Sequence, residues 1–398
     1  MATQATKYVK LVMVTADNNN KYYEMTHNGG STFSVKYGRV ESTAVDGSYP
    51  IGDWDKKYNE KVKKGYVDVT HTVSVKVDTT PTKGAQYAKI AEAKVEEFVT
   101  KMKAYTDKLV SNTYSVQAKD VTQAQVDEAQ GYIDDLVKLS KEKKISNANV
   151  NATLLKLYTI IPRRMSNVRD YLMPSISLKD ILEDEQDNLD AMASQVALAT
   201  PKKSTSKTSK AVKTLLETIG VTMKEIKAPK EIDYLVKQMT RNKIEAIFEV
   251  NKPEEDATFA KWMAKQKNKT TKILIHGTKC TSVVPILEQG LKIRPAGNFQ
   301  FSGKAYGDGN YYSEVVQKSM GYTGYDKDHV LLVYEVHTGN PFVYSGWYTG
   351  NSFSLTYKEL QKRGFDSTHV NAGNGLLNSE IIAYNEEQNR IKYIIWLN

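Results

Sequence analysis

The stretch Lys272–Tyr325 limits the fold of this chain more than any other. An apolar, β-branched run, Ile273-Leu274-Ile275, ends in His276-Gly277-Thr278, the pattern of a buried strand that delivers a histidine to a loop. An amphipathic segment follows, with Val283, Ile286 and Leu287 on one face and Gly290 as its stop signal. Then come Gly307 and Gly309, the pair Tyr311-Tyr312, Lys318-Ser319 and Tyr322. Polar-tipped aromatics crowded beside glycines suit a flat ring as ligand, because a ring face binds a ring and glycine lets backbone come close.

The order of three blocks carries a resemblance. HGT at His276, GDGNY with KSMGY over Gly307–Tyr322, and the late LLNSEIIAYN around Glu380 resemble the catalytic domain of the DNA-dependent poly(ADP-ribose) polymerases. The resemblance implies a triad of His276, Tyr311 and Glu380 and NAD+ as substrate. It implies that Tyr311 and Tyr322 hold the nicotinamide ring, that the Gly277 backbone and the Ser319 hydroxyl bind its carboxamide, and that His276 bonds the adenine-side ribose. Thr278 joins the NAD+-binding set and Lys318 helps to position the acceptor. The loop Pro295–Tyr306 is implied as a donor loop, with no role for any single residue.

Such chemistry asks for a carboxylate. Breaking the nicotinamide–ribose bond develops oxocarbenium character at the sugar carbon. An acid beneath that ribose can bond its hydroxyl, steady the charge and polarise an incoming acceptor. Glu380, among Ile381, Ile382 and Ala383, is costly to bury without a role; by pattern alone it could equally sit on an exposed alternate face. Other chemistries fit less well. The single cysteine, Cys280, follows His276 closely but has no orienting carboxylate nearby, so a plain thiol competes with a nucleophilic pair. The run from Gly297 to Gly303-Lys304 has five residues between its glycines, and Ala305 stands where a P-loop places Ser or Thr. Gly307-Asp308-Gly309 lacks the third glycine of a dinucleotide fingerprint. His329, His337 and His369 show no ligand spacing, so no metal is expected.

At the amino terminus, Lys7–Val14, Tyr22–Thr26 and Thr32–Val40 read as strands of an antiparallel meander with turns at Asn18-Asn19-Asn20 and Asn28-Gly29-Gly30. Asp53–Lys64 reads as a helix closed by Gly65, followed by a strand over Tyr66–Val77. SVKYGRV (Ser34–Val40) and KVKKGY (Lys61–Tyr66) resemble the WGR domain, with Tyr37 where that domain has tryptophan. In DNA-dependent relatives it grips a DNA end. Tyr37 could cap a base or ribose while Arg39, Lys61, Lys63 and Lys64 neutralise phosphates; a strand core residue and a solvated lysine face are the plainer reading.

Turn-rich Thr79–Gly84 separates this part from helix formers. Ala85–Leu109, a helix opened by Thr122 with Val126, Ala129, Ile133 and Val137 as its stripe, Asn149–Ile160 and Ser177–Leu198 give at least four helices. Ala118–Leu136 and LLKLYTIIPRR (Leu154–Arg164) resemble the helical regulatory domain of the same family, which blocks NAD+ until DNA binds; a passive spacer is the plainer reading. TPKKSTSKTSKAVK (Thr200–Lys213) reads as a connector, with a modification target, a phosphate-binding tail or an import signal as alternatives. Beyond it, Glu231–Ile247 reads as helical, and Val330–Val336, Phe342–Tyr344, Ser379–Tyr384 and Ile391–Leu397 read as strands.

The predicted fold class is therefore multidomain α+β. It comprises a small antiparallel WGR-like β domain (1–80), an all-α helical regulatory bundle (85–212) and a mixed α/β ADP-ribosyltransferase domain with a split antiparallel sheet (213–398). The net charge of +9, from 55 Lys and Arg against 46 Asp and Glu, suits a polyanionic partner without requiring one. With no membrane-length apolar run and no signal-peptide core at the start, the chain is expected inside the cell, in the nucleus of a eukaryote or the cytoplasm or nucleoid otherwise. The expected partners are DNA ends or breaks and acceptor proteins including the chain itself. A catalytically silent DNA-end scaffold, a mono-ADP-ribosyltransferase and an NAD+ hydrolase are the alternatives.

Overall fold

The computed structural model describes residues 7–70, 87–199, 212–240, 243–293, 305–346, 357–373 and 375–398. The connector Thr79–Gly84 and most of the strand expected over Tyr66–Val77 lie outside the described residues. So do Thr200–Lys213 and Pro295–Tyr306, apart from the last two residues of each. The chain divides into two compact units, residues 1–86 with 108–205, and residues 87–107 with 206–398.

In the first unit, β1 (Lys7–Thr15), β2 (Asn19–His27), β3 (Thr32–Arg39), β4 (Val45–Pro50) and β5 (Val67–Asp68) form an antiparallel sheet in the order β4-β3-β2-β1-β5. Period-two alternation puts Leu11, Tyr23, Met25, Phe33 and Val35 on one face, where Trp54 of helix α1 (Trp54–Lys63) closes the core. Strand β4 has no apolar alternation and buries none of its residues, so pairing with β3 rather than its own sequence makes it a strand. Helix α2 (Ala93–Thr113) begins later than its composition predicts. Its last turns belong to this unit with α3 (Gln123–Leu139), α4 (Asn147–Ile160) and α5 (Leu178–Ala199). Thr122 caps α3 in a reciprocal box with Gln125, and Val126, Ala129, Ile133 and Val137 are buried.

The second unit adds α6 (Leu215–Ile219), β6 (Thr222–Ile226), α7 (Asp233–Val236), β7 (Ile244–Asn251), α8 (Pro253–Lys265), β8 (Thr271–Thr278), α9 (Cys280–Gln289), β9 (Asn310–Tyr312) and α10 (Val316–Met320). After these come β10 (His329–His337), β11 (Pro341–Tyr344), α11 (Tyr357–Lys362), β12 (Ser367–Val370), β13 (Glu380–Ala383) and β14 (Asn389–Leu397). One sheet runs β6-β7-β14-β10-β8 and is antiparallel throughout. A second runs β11-β12-β13-β9.

Two readings change here. The helix expected over Glu231–Ile247 shrinks to a few turns ending at Val236, and Ile244–Asn251 is strand β7. Pairing on both edges, with β6 and β14, overrides helical spacing in so short a run. The second sheet is not purely antiparallel, because β11 and β12 run parallel. The connection between them contains α11, the crossover that a parallel pair needs. The two sheets join at a bridge where Ile275 and Ser313 exchange backbone hydrogen bonds of 3.0 Å in both directions.

Candidate active site

That bridge sets the site, because it brings β8 with His276 against β9 with Tyr311. The His276 Nδ1 lies 2.9 Å from the Tyr311 carbonyl oxygen. A carbonyl only accepts, so Nδ1 carries the proton and the neutral ring keeps Nε2 as an acceptor. Burial lowers the imidazole pKa, and the Tyr311 carbonyl opposes this only in part. Gly277 follows at a place where no side chain fits. A Cβ built there would lie 1.8 Å from the Ser319 carbonyl oxygen. Helix α10 thus rests on the backbone of β8, and Ser319, itself buried, turns its hydroxyl toward the Ile275 carbonyl. Thr278 ends β8 in a buried position opposite Val330.

In the second sheet, Tyr311 stands directly opposite Ile382. Side chains alternate along a strand, so Glu380 shares the Ile382 face and faces the same way as Tyr311. Gly309 permits the close crossing beside β13, since a Cβ there would meet Ile382 at 2.5 Å and the Ala383 carbonyl oxygen at 2.7 Å. The Tyr311 phenol donates to the Gly307 carbonyl (2.9 Å) and accepts from the Tyr306 amide (2.7 Å). Its polar tip is therefore occupied, and its ring is what it can offer a ligand. Burial, first, and the nearby Tyr384 phenol hold its pKa well above the ordinary value.

Glu380 is 5% exposed. Its Oε1 lies 2.5 Å from Lys318 Nζ, while Oε2 is buried with no hydrogen-bond partner. Burial works against the Lys318 charge, but hydrogen bonding and attraction to Glu380 outweigh it and raise the ammonium pKa. The same ammonium is 5.9 Å from the ring centroid of Tyr322, which is 39% exposed. Lys318 thus links Tyr322 to the face shared by Tyr311 and Glu380. His276, Gly277, Ser319, Tyr311, Lys318, Tyr322 and Glu380 come together around the bridge between the sheets. Cys280 does not join them: its thiol is buried, donates to the Asp328 carbonyl and is pushed up to about 12 by burial and by Asp326 and Asp328. It has neither the ionisation nor the base of a nucleophile.

The amino-terminal candidates are placed differently. Lys61 Nζ sits 4.3 Å from the Tyr23 ring centroid, 5.7 Å from Tyr37 and 5.8 Å from Tyr66, so Tyr37 lies beneath a cation rather than bare. Lys63 is exposed, and Lys64 pairs with Glu60 at 2.9 Å. Arg39 is engaged with the backbone and with Asn18. It donates to the Asn18 carbonyl (2.6 Å), Asn18 Oδ1 (2.9 Å) and the Ser166 carbonyl (2.7 Å), a set of bonds that fastens the sheet to the segment after α4.

Residues 223–398 match the model of the poly(ADP-ribose) polymerase catalytic domain. The poly [ADP-ribose] polymerase-like protein 100L of Invertebrate iridescent virus 6 is 54% identical over 167 residues, 42% of this chain and 92% of that protein. The chain belongs to the poly(ADP-ribose) polymerase family. A second protein of that virus, the uncharacterised 101L, is 42% identical over 189 residues, 48% of this chain and 77% of its own length. Poly [ADP-ribose] polymerase 2 of Arabidopsis thaliana is 30% identical over 157 residues, 32% of this chain and 24% of that protein. The second unit of this chain therefore holds an ADP-ribosyltransferase domain, whose substrate is NAD+. No described helix is long and apolar enough to cross a membrane.

Sequence reading missed the residues that hold the site rather than form it: Ser313, Thr368 and Tyr384. Tyr384 had a usable signal, since in EIIAY it falls on the same alternate face as Glu380.

Proposed function

We propose that this polymerase is activated by DNA breaks, cleaves NAD+ to release nicotinamide, and transfers ADP-ribose to itself and to other proteins, extending the product into a chain. The observation that carries the catalytic part is the half-satisfied Glu380 carboxylate on the Tyr311 face. A buried acceptor without a partner is costly, and a ribose hydroxyl of bound NAD+ is a donor of the right kind. In the reaction the nicotinamide–ribose bond breaks as its electron pair leaves with the ring nitrogen. Glu380 steadies the sugar cation through that hydroxyl, and Lys318 holds the other carboxylate oxygen in place. The ring faces of Tyr311 and Tyr322 hold the cationic nicotinamide, Gly277 and Ser319 meet its carboxamide, and Nε2 of His276 accepts from the adenine-side ribose with Thr278 beside it. An acceptor hydroxyl or carboxylate then bonds to the ribose carbon, losing a proton to Glu380 if it carries one.

Activation by DNA is proposed from the amino-terminal sheet. The exposed Lys63 and Lys64, and the Tyr37 ring beside Lys61, offer basic and aromatic groups suited to a DNA end, and the net charge of +9 favours a polyanion. The WGR resemblance and the resemblance of the middle helices to a regulatory domain support the same reading. The test is automodification with labelled NAD+, with and without a nicked or blunt duplex. Label entering protein only with duplex present, and absent in Glu380→Gln with duplex affinity kept, is the expected result. Equal labelling in both lanes would remove the activation, and an unchanged rate in Glu380→Gln would remove the catalytic carboxylate. Label released only as free ADP-ribose would make the protein a hydrolase.

A further inference from the structure

Behind Tyr311 lies a chain of hydroxyls that the transfer chemistry does not use. Tyr384 follows β13 and, alternating from Glu380 and Ile382, lies on the face directed toward Tyr311. It is 7% exposed, and its ring stacks on Tyr357 with centroids 6.0 Å apart and planes at 16°. Its hydroxyl makes two bonds of 2.8 Å, donating to the Tyr306 carbonyl and accepting from the fully buried Thr368 hydroxyl. Tyr306 is held at its other end by Tyr311, whose phenol accepts from the Tyr306 amide and donates to the Gly307 carbonyl. The backbone at 306–307 is therefore fastened between two phenols, one on the strand that carries Tyr311 and one just past the strand that carries Glu380. It fixes where the tip of Tyr311 sits.

We propose that Tyr384 is a positioning residue for the transferase reaction: through Tyr306 it fixes the Tyr311 ring in the orientation that receives nicotinamide. The proposal rests on the reading of Tyr311 as the ring clamp. A phenol pinned at its tip loses rotational freedom before the ligand arrives, so binding costs less ordering. Thr368 completes the chain by satisfying the lone pair of Tyr384, which fixes the direction of the Tyr384 proton toward Tyr306.

The test is made on the full chain with nicotinamide as probe, by calorimetric titration, beside steady-state kinetics with NAD+. Tyr384→Phe removes one hydroxyl and keeps the stacked ring. Losing one buried hydrogen bond corresponds to an increase of about fivefold in the nicotinamide Kd and in KM for NAD+, with kcat held within about twofold because Glu380 and Lys318 are untouched. In a Tyr311→Phe background the same change adds nothing, since the tip it steadies is gone. Kd and KM unchanged while only the unfolding temperature falls would reduce Tyr384 to a structural role and overturn the proposal, as would full additivity with Tyr311→Phe. Should Tyr384→Phe fail to fold, Thr368→Val tests the chain from its far end: a weaker nicotinamide affinity supports the proposal and an unchanged one overturns it. Tyr311→Ala separates the two levels. Unchanged nicotinamide affinity there sinks the clamp itself, whereas a loss there with none in Tyr384→Phe sinks only the positioning role.

Discussion

Lys318 binds one oxygen of Glu380 at 2.5 Å and leaves the other buried and unsatisfied. A carboxylate with two buried oxygens and one cation is only half satisfied, and the missing donor is what a substrate hydroxyl supplies. Helix α10 and strand β13 provide the two partners, so the pair exists only in the assembled fold.

Lys318→Met should lower NAD+ turnover at least ~10-fold, because the buried Glu380 carboxylate loses the cation that holds its Oε1. Steady-state kinetics with NAD+ check this, and an unchanged kcat would show that Lys318 does not position Glu380.

Gly277→Ala should cost ~2 kcal/mol or more and strongly weaken NAD+ binding. The obstacle is the Ser319 carbonyl oxygen, 1.8 Å from the added carbon. It is backbone, so α10 must move off β8. Chemical denaturation with a parallel NAD+ titration reads both effects.

Stability should fall with acid over a defined window. His369 has its Nε2 buried without a partner, and burial, then the Lys272 charge, lower its pKa from 6.5 to about 4, against the pull of Glu314. The unfolded chain takes the proton first, so stability is fully present above about 6.5 and is lost as the pH falls toward about 4. His276 acts in the same direction. His369→Gln should flatten part of this slope in unfolding temperature measured against pH.

Arg39 and Lys63 should separate fold from DNA contact. Arg39→Ala removes bonds to Asn18 and Ser166 and should destabilise the first unit by ~1–3 kcal/mol. Lys63→Ala should leave stability unchanged, weaken duplex binding, and reduce its salt slope by about one phosphate contact. Duplex affinity lost in Arg39→Ala without any loss of stability would place Arg39 among the DNA contacts.

Much of the candidate site was legible because it is written in local patterns. The apolar run before His276 is β8, the stop at Gly290 ends α9, and EIIA is β13 with Glu380 as its first residue. The Thr122 cap and its stripe were likewise readable, since a capping box and a helical period need only near neighbours. The segment Ile244–Asn251 was not. Its apolar residues suit either element, and only pairing with β6 and β14 decides. Arg39 shows the same limit. One of its partners, the Ser166 carbonyl, lies far along the chain.

By itself the sequence determined which side chains could do chemistry here: a histidine at a strand end, paired tyrosines beside glycines, a lysine, and a glutamate in an apolar strand. Only the tertiary structure decided that Glu380 is buried rather than exposed, that Lys318 reaches it, and that Tyr384 steadies Tyr311 through Tyr306. Local order follows from periodicities that a few residues carry. Burial and pairing across strands follow from register between distant segments, which no short stretch of sequence contains.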